Sequence, residues 1–279
     1  MENSITLNDG RIMPYIGLGV WEMSVEQAAE NVVTAIECGY RLIDTAAYYK
    51  NEEGVGRAVA ACGIPREELF ITSKVWPEDM TEKGTRNSFM RSLDAMGLDY
   101  LDMFLLHWPI GDVEVSWKVL EALRDEGLVR TIGVSNFMPP HLDALMKTAR
   151  VCPAINQFES NPYYSQRDLA EYTQKLGITP QAWAPLGKGR VLGDAAIGDV
   201  ARKYGVSPAQ IVLRWGLQRG IAVIPKSSSE GRLRENKDIF GFEISKADME
   251  LMNSLDKGTT ERTPPTGYNS EIFGAIPQV

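Results

Sequence analysis

Tyr40-Arg41-Leu42-Ile43-Asp44, Leu69-Phe70-Ile71-Thr72-Ser73-Lys74 and Met103-Phe104-Leu105-Leu106-His107 share one pattern, a short apolar run closed by an ionisable residue. Each run reads as a buried strand, too short for a helix of ordinary length and apolar on both faces. Working outward, each is followed by a helical pattern. Ser24 and Gln27 make a capping box ahead of the apolar face Val25, Ala28, Ala29, Val32, Val33, Ile36, and Gly39 stops that helix before the first run. Further helices are expected near Glu52 to Ala61, Lys83 to Met96, Val113 to Glu126, after Pro139-Pro140, and over Asp168 to Leu176. The last ones fall at about Asp194 to Tyr204, Ser207 to Gln218 and Glu230 to Lys237. The remaining strands fall at Thr131 to Val134, Ala154 to Asn156, Ile178 to Ala182, Ala222 to Ile224 and, as the last, Ile239-Phe240. Strand and helix alternate without a low-complexity linker, which predicts parallel βα units closed into an eight-stranded (β/α)8 TIM barrel. In such a barrel the downstream strand ends converge on one mouth, so Asp44, Lys74, His107 and Tyr49 meet there.

Ile5-Thr6-Leu7 and Arg11-Ile12-Met13 flank Asn8-Asp9-Gly10, a hairpin signal because Asn or Asp before Gly accepts a positive φ. This N-terminal β-hairpin is expected at the barrel base. A length of 279 residues suits one domain over 1–279, since this architecture takes roughly 250 residues. The tail after Leu255, with Pro264-Pro265, reads as loop.

Composition narrows the function. A net charge of −8 opposes a nucleic-acid or anionic-membrane partner. Cys38, Cys62 and Cys152 show no paired spacing, and two histidines, His107 and His141, leave no zinc-site pattern, so no metal is expected. The N-terminal stretch lacks the basic start and apolar core of a signal peptide, and no run reaches the roughly 20 apolar residues of a membrane span. A cytoplasmic, reducing location follows as the expectation.

Asp44-Thr45-Ala46-Ala47-Tyr48-Tyr49-Lys50-Asn51-Glu52, Ile71-Thr72-Ser73-Lys74, Leu105-Leu106-His107-Trp108-Pro109, Gly133-Val134-Ser135-Asn136-Phe137 and Ile224-Pro225-Lys226-Ser227 together resemble the aldo-keto reductases. The resemblance runs in order from the hairpin to about Leu255, nearest to the prokaryotic-type branch of diketogluconate reductases and prostaglandin F synthases. It implies that Asp44, Tyr49, Lys74 and His107 are a catalytic tetrad for carbonyl reduction. The chemistry is coherent. A phenol with an ordinary pKa of about 10 is a weak acid, and an adjacent ammonium would lower that value. Lys74 would supply the charge, Asp44 would hold Lys74 protonated, and His107 would hydrogen-bond the carbonyl or relay protons. Taken singly, Asp44 also reads as a helix cap, Lys74 as a solvated strand end and His107 as a structural hydrogen-bond partner.

No flavin, haem or metal signature is visible, so a nicotinamide is the expected hydride source. Ser135, Asn136 and Gln157 end strands where they could grip its carboxamide. The resemblance implies that Trp183 stacks on the ring. Leu186, Gly187 and Gly189 open a stretch, Gly187 to Gly193, read as a flexible loop over the pyrophosphate. Lys226, Ser227, Ser229, Arg232, Glu235 and Asn236 gather hydroxyls, cations and a helix start suited to a phosphate. In the family this set takes the adenosine 2′-phosphate and adenine, which implies NADPH. Trp21, Ala47, Trp76 and Trp108 match substrate-pocket positions. The short connection after Pro109 favours small aldehydes, dicarbonyls or keto sugars over a steroid, and a monomer is the family expectation. Two alternatives stay open: an aldolase-like barrel with a Schiff base on Lys74, and a redox-inactive module that senses nicotinamide.

Overall fold

The computed structural model describes residues 3–261. β1 (Ser4–Thr6) and β2 (Ile12–Pro14) form the expected hairpin, antiparallel with Ile5 opposite Met13. The barrel follows as β3 (Gly17–Gly19), β4 (Leu42–Asp44), β5 (Phe70–Val75), β6 (Leu101–Leu106), β7 (Val129–Ser135), β8 (Ile155–Glu159), β9 (Thr179–Trp183) and β10 (Ala222–Val223). These strands make one 8-stranded sheet in chain order with every neighbouring pair parallel. The sheet closes on itself: Ile16 bridges Val223 in parallel, the Val223 amide donates to Tyr15 at 2.9 Å and the Gly19 amide to Pro225 at 3.3 Å.

The helices are α1 (Val25–Glu37), α2 (Glu52–Ala61), α3 (Glu82–Met96), α4 (Val113–Asp125), α5 (Pro139–Met146), α6 (Arg167–Lys175), α7 (Ala195–Tyr204), α8 (Pro208–Gln218), α9 (Glu230–Lys237) and α10 (Lys246–Asn253). The capping box at α1 forms in both directions, Ser24 Oγ accepting from the Gln27 amide and Gln27 Oε1 from the Ser24 amide. None of the described helices is long and apolar enough to cross a membrane.

One strand differs from expectation. Ile239-Phe240 is not a strand; Ile239 is buried beyond α9 in the outer core, and its carbonyl accepts from Arg214 at 3.2 Å. The missing strand is β3, which precedes the other seven barrel strands. A Cβ on Gly17 would fall 2.5 Å from Leu42 Cγ, and one on Gly19 would fall 3.0 Å from the Ile224 carbonyl oxygen. The closing strand therefore needs glycine, and glycine erases the β-branched pattern by which strands are read. The expected loop at Pro264-Pro265 lies outside the described residues.

The barrel interior is filled from the base. Leu42, Phe70, Met103, Leu105, Ile155 and Ala222 pack on Met13 and Leu7 of the hairpin segment, so the hairpin plugs the upstream end. Asn8 ties it there, its amide donating to the carbonyls of Pro153 and Gly177, which precede β8 and β9.

Candidate active site

Two residues further along the same strands the interior becomes polar. Because inward positions recur every second residue, Leu42 is followed by Asp44, Ile155 by Gln157 and Thr179 by Gln181, while Lys74 stands inward on β5. Lys74 is fully buried, its Nζ 2.5 Å from Asp44 Oδ1 and 2.8 Å from the Thr45 carbonyl oxygen. Asp44 Oδ2 accepts from Gln157 Nε2 at 2.7 Å, and the same amide donates to Gln181 Oε1 at 2.7 Å. Gln181, which the sequence motifs do not flag, sits directly opposite Gln157 in the β8–β9 register.

Tyr49 comes from a 3-10 turn, Ala47–Tyr49, that ends on Lys50 in the left-handed region at φ 55. Buried Asn51 fixes this turn. Its carbonyl accepts from Thr45 Oγ1 at 2.8 Å, while its amide reaches the Val20 and Met23 carbonyls at 2.9 and 3.1 Å. One side chain thus holds the end of β4 and the segment bearing Trp21. Lys74 Nζ lies 5.1 Å from the Tyr49 ring centroid, and the His107 ring stands edge-on to Tyr49 at 5.8 Å.

Burial pushes the Tyr49 phenol well above its ordinary value, and the Asp44 carboxylate adds to the rise. This is opposite to the lowering expected from Lys74, because the ammonium is spent on Asp44 and the phenol has lost its water. Lys74 itself is pulled below its ordinary value by burial, against which the Asp44 charge and hydrogen bond and the Glu52 charge act. Burial, helped by the Lys74 charge, takes His107 well below the usual imidazole value, so its ring is neutral at neutral pH. Its Nδ1 is buried with no hydrogen-bond partner among the described residues.

A cavity of about 570 Å³ opens onto Asp44, Tyr49 and His107 and runs past Asn136, Gln157 and Trp183 to Lys226, Arg232, Glu235 and Asn236. Trp21, Trp76 and Trp108 line it, and Leu186, Gly189 and Ser227 also face it. Ala47, Ser135, Gly187 and Ser229 do not stand in its wall. Ser135 is buried, its hydroxyl donating to the Gln157 carbonyl and accepting from Asn136, so it supports the wall from behind. Asn136 is engaged on both ends: Nδ2 reaches the His107 carbonyl at 3.0 Å and Oδ1 accepts from Trp183 Nε1 at 3.0 Å. It holds φ 63, a conformation asparagine tolerates. Ser228 takes the lining place expected of Ser229. Tyr48 also lines the cavity, stacked on Trp76 at 3.8 Å and nearly parallel to Trp21 at 5.7 Å. The stretch Gly187–Gly193 is wound into 3-10 turns with left-handed Lys188 and Gly189, with Val191 buried and Arg190 paired to Glu261 at 2.9 Å. Lys188, Gly189 and Leu192 of this stretch line the cavity.

The far end of the cavity fits an anion. Arg232 makes no ion pair among the described residues, and Lys226 meets Glu22 there, donating to its backbone carbonyl at 3.3 Å with the carboxylate at 3.9 Å. The first residue before α9, Ser229, gives that helix no side-chain cap, so its N-terminal amides remain available. An aromatic-walled cavity that joins two cations to the buried Asp44–Lys74 pair and Tyr49 suits a phosphorylated dinucleotide. Among the described residues there is no cluster able to hold a metal ion.

The aldo/keto reductase family model matches residues 15–257. Glyoxal reductase of Bacillus subtilis strain 168 is 46% identical over 267 residues, covering 95% of this chain and 96% of its own. The 9,11-endoperoxide prostaglandin H2 reductase of Trypanosoma cruzi is 43% identical over 260 residues, covering 91% of this chain and 92% of its own. An aldo-keto reductase of Bombyx mori, solved in complex with NADP, has a TM-score of 0.88 at 34% identity and covers 93% of this chain and 94% of its own. The matched span takes in the whole barrel, the buried Lys74–Asp44 pair and the anion end of the cavity, and the chain belongs to the aldo/keto reductase family.

Proposed function

We propose that this chain is an NADPH-dependent reductase of small aldehydes, dicarbonyls and keto sugars, with Tyr49 as the general acid. The observation that carries this reading is one cavity whose wall holds Asp44, Tyr49 and His107 together with Lys226 and Arg232. Bound NADPH supplies the hydride taken up by the carbonyl carbon. The chain supplies the proton. Tyr49, held well above the ordinary phenol value, stays protonated across the neutral range and is available to donate to the carbonyl oxygen. As it does so, the Lys74 ammonium near its ring stabilises the negative charge that develops, and Asp44 keeps Lys74 charged in spite of its burial. His107, neutral, orients the carbonyl by hydrogen bonding rather than by charge. Gln157 and Gln181 hold Asp44 in place from the facing strands.

The aromatic wall of Trp21, Tyr48, Trp76 and Trp108 selects by shape, which suits small carbonyls. The glyoxal reductase relative supports this substrate class. A Schiff-base mechanism fits poorly, since Lys74 is fully buried beneath Tyr49 and does not reach the cavity wall. The same reading takes the chain as one oxidoreductase domain, monomeric and cytoplasmic. Cys38, Cys62 and Cys152 are all unpaired, as a reducing compartment requires. Among the described residues the exposed large apolar side chains Ile12, Met90, Met146 and Leu251 sit on four different elements, with no shared patch to bury.

The test is incubation with NADPH and a carbonyl panel of glyoxals, benzaldehydes and keto sugars, following the reduced-nicotinamide absorbance. Consumption with the small carbonyls is expected. No consumption with any member, or a borohydride-trapped substrate adduct on Lys74, would overturn the assignment.

A further inference from the structure

Three acids stand in the cavity wall, Glu22, Asp44 and Glu235. Asp44 is committed to Lys74 and Gln157, and Glu235 Oε1 accepts from Ser207 Oγ. Glu22 is placed differently, and the reduction mechanism above leaves it without work. Among the described residues its carboxylate meets one cation, Lys226, whose Nζ stands 3.9 Å away and donates to the Glu22 backbone carbonyl at 3.3 Å. The two residues are 204 positions apart, one following β3 and the other following β10, so the contact crosses the seam where the barrel closes.

The main chain of Glu22 is held in place. It has φ 59, a left-handed conformation that glutamate seldom adopts. On either side the Val20 and Met23 carbonyls accept from the buried Asn51 amide at 2.9 and 3.1 Å, and Trp21 packs on Tyr49 at 4.6 Å. The two side chains are open by contrast. Those of Lys226 and Glu22 are 42% and 51% exposed, and an ion pair this exposed contributes little to fold stability. A ligand entering the cavity therefore meets the ammonium with a counter-charge already beside it. A phosphate that reaches Lys226 comes into the field of the Glu22 carboxylate and is repelled by it. The ribose hydroxyl that NADH carries at the same position has no charge and is indifferent to it.

We propose that Glu22 is a cofactor-specificity residue, the resident counter-charge of Lys226 that the 2′-phosphate of NADPH must displace or share. The inference rests on the reading that Lys226 and Arg232 hold that phosphate. Glu22 works against them, weakening NADPH selectively and bringing its affinity closer to that of NADH. Arg232, with no ion pair among the described residues, keeps its charge for the phosphate, so the cavity still prefers NADPH. The contact from Lys226 to the Glu22 backbone does not depend on the side chain, so the ammonium stays oriented when the carboxylate is removed.

Glu22→Gln keeps the side-chain length and the backbone contact and removes only the charge. In calorimetric titrations of the full chain, the variant should bind NADPH roughly three- to tenfold more tightly than the parent, with NADH changed by less than about 1.5-fold. The NADPH gain should shrink between about 0.01 M and about 1 M salt, over which the Debye length falls from roughly 30 Å to roughly 3 Å. NADPH affinity unchanged or lowered in Glu22→Gln, an equal gain for NADH, or a gain that persists in full at high salt overturns the proposal. Lys226→Ala and Arg232→Ala, titrated alongside, separate it from the phosphate assignment. If those two lose NADPH and NADH equally, the phosphate lies elsewhere and both assignments fall. A loss confined to NADPH, with no gain in Glu22→Gln, overturns the role of Glu22 alone.

Discussion

The lower and upper halves of the barrel interior are made by the same strands and differ by two residues of chain. On β4 the step is from Leu42 to Asp44, on β8 from Ile155 to Gln157, and past β6 from Leu105 to His107. Below, Leu42, Phe70, Met103, Leu105 and Ile155 fill space and contribute through apolar burial. Above, a fully buried lysine, a carboxylate and two amides satisfy one another and leave Tyr49 and His107 facing the cavity. Strand geometry treats both halves alike. In the proposed function, what separates them is that a fault below costs fold stability, whereas a fault above should cost chemistry as well, because the charges there would be arranged around a proton.

The largest expected effect isolates that proton. Tyr49→Phe keeps the ring against Trp21 and His107 and deletes only the hydroxyl. Loss of a positioned general acid lowers kcat by roughly 100-fold to 10,000-fold. NADPH binding, followed by tryptophan fluorescence, should be nearly unchanged, because the deleted hydroxyl is not among the groups proposed to hold the phosphates, Arg232 and Lys226. Near wild-type turnover would place the acid elsewhere.

Asp44→Asn and Leu105→Ala set the two halves directly against each other. Replacing Asp44 leaves Lys74 buried without a counter-charge, and breaking a buried pair in this way costs about 3 to 5 kcal/mol. Leu105→Ala opens a cavity in the lower half and costs about 2 to 5 kcal/mol. Denaturant melts should therefore look similar. Turnover per folded molecule should separate them, collapsing for Asp44→Asn and persisting for Leu105→Ala. Equal loss of turnover in both would show that the upper layer is only packing.

Much of this contrast is legible in the sequence. Asp44, Lys74 and His107 announce themselves because a charge ending an apolar run breaks the pattern that buries the run. What is hidden depends on neighbours across space. Gln181 matters because it faces Gln157 in register, and nothing within its own strand says so. β3 is hidden because close approach to Leu42 demands glycine, while Ile239-Phe240 imitates a strand because the outer core also demands apolar residues. The raised Tyr49 phenol follows from desolvation, a property of the folded pocket that its flanking motif does not encode. Ser229 and Ser228 are interchangeable in sequence, and only the turn before α9 decides which faces the cavity.

At the anion end of the cavity, Arg232→Ala and Lys226→Ala should weaken NADPH by about 1.5 to 3 kcal/mol each, the worth of a charge-assisted hydrogen bond. NADH, which lacks the extra phosphate, should lose far less. Equal losses for both cofactors would move the phosphate site away from α9.

The upper layer should also mark the pH dependence of stability. His107 is held neutral in the fold by burial and by Lys74, so its folded pKa lies below the unfolded value of about 6.5. The unfolded chain then binds more protons than the fold as pH drops through that value, and stability falls with it. His107→Gln should flatten the decline in Tm between about pH 7 and pH 5. Part of the slope should survive, because burial lowers His141 in the same sense. An unchanged slope would mean that His107 enters the fold already charged.

The smallest effect belongs to the residue beside the proposed acid. Tyr48 and Tyr49 share one 3-10 turn, yet Tyr48 lies in the aromatic wall, sandwiched between Trp21 and Trp76, while Tyr49 lies over Lys74. Tyr48→Phe keeps the ring, its area and its stacking, so stability should stay within about 0.5 kcal/mol. Its kcat should stay close to wild type, with any change confined to KM for carbonyls that touch the wall. Measured beside Tyr49→Phe with the same cofactor, the pair compares neighbouring hydroxyls in one turn that differ in their distance from a buried ammonium. A large kcat loss in Tyr48→Phe would mean that the wall, and not only the charged layer, takes part in moving the proton.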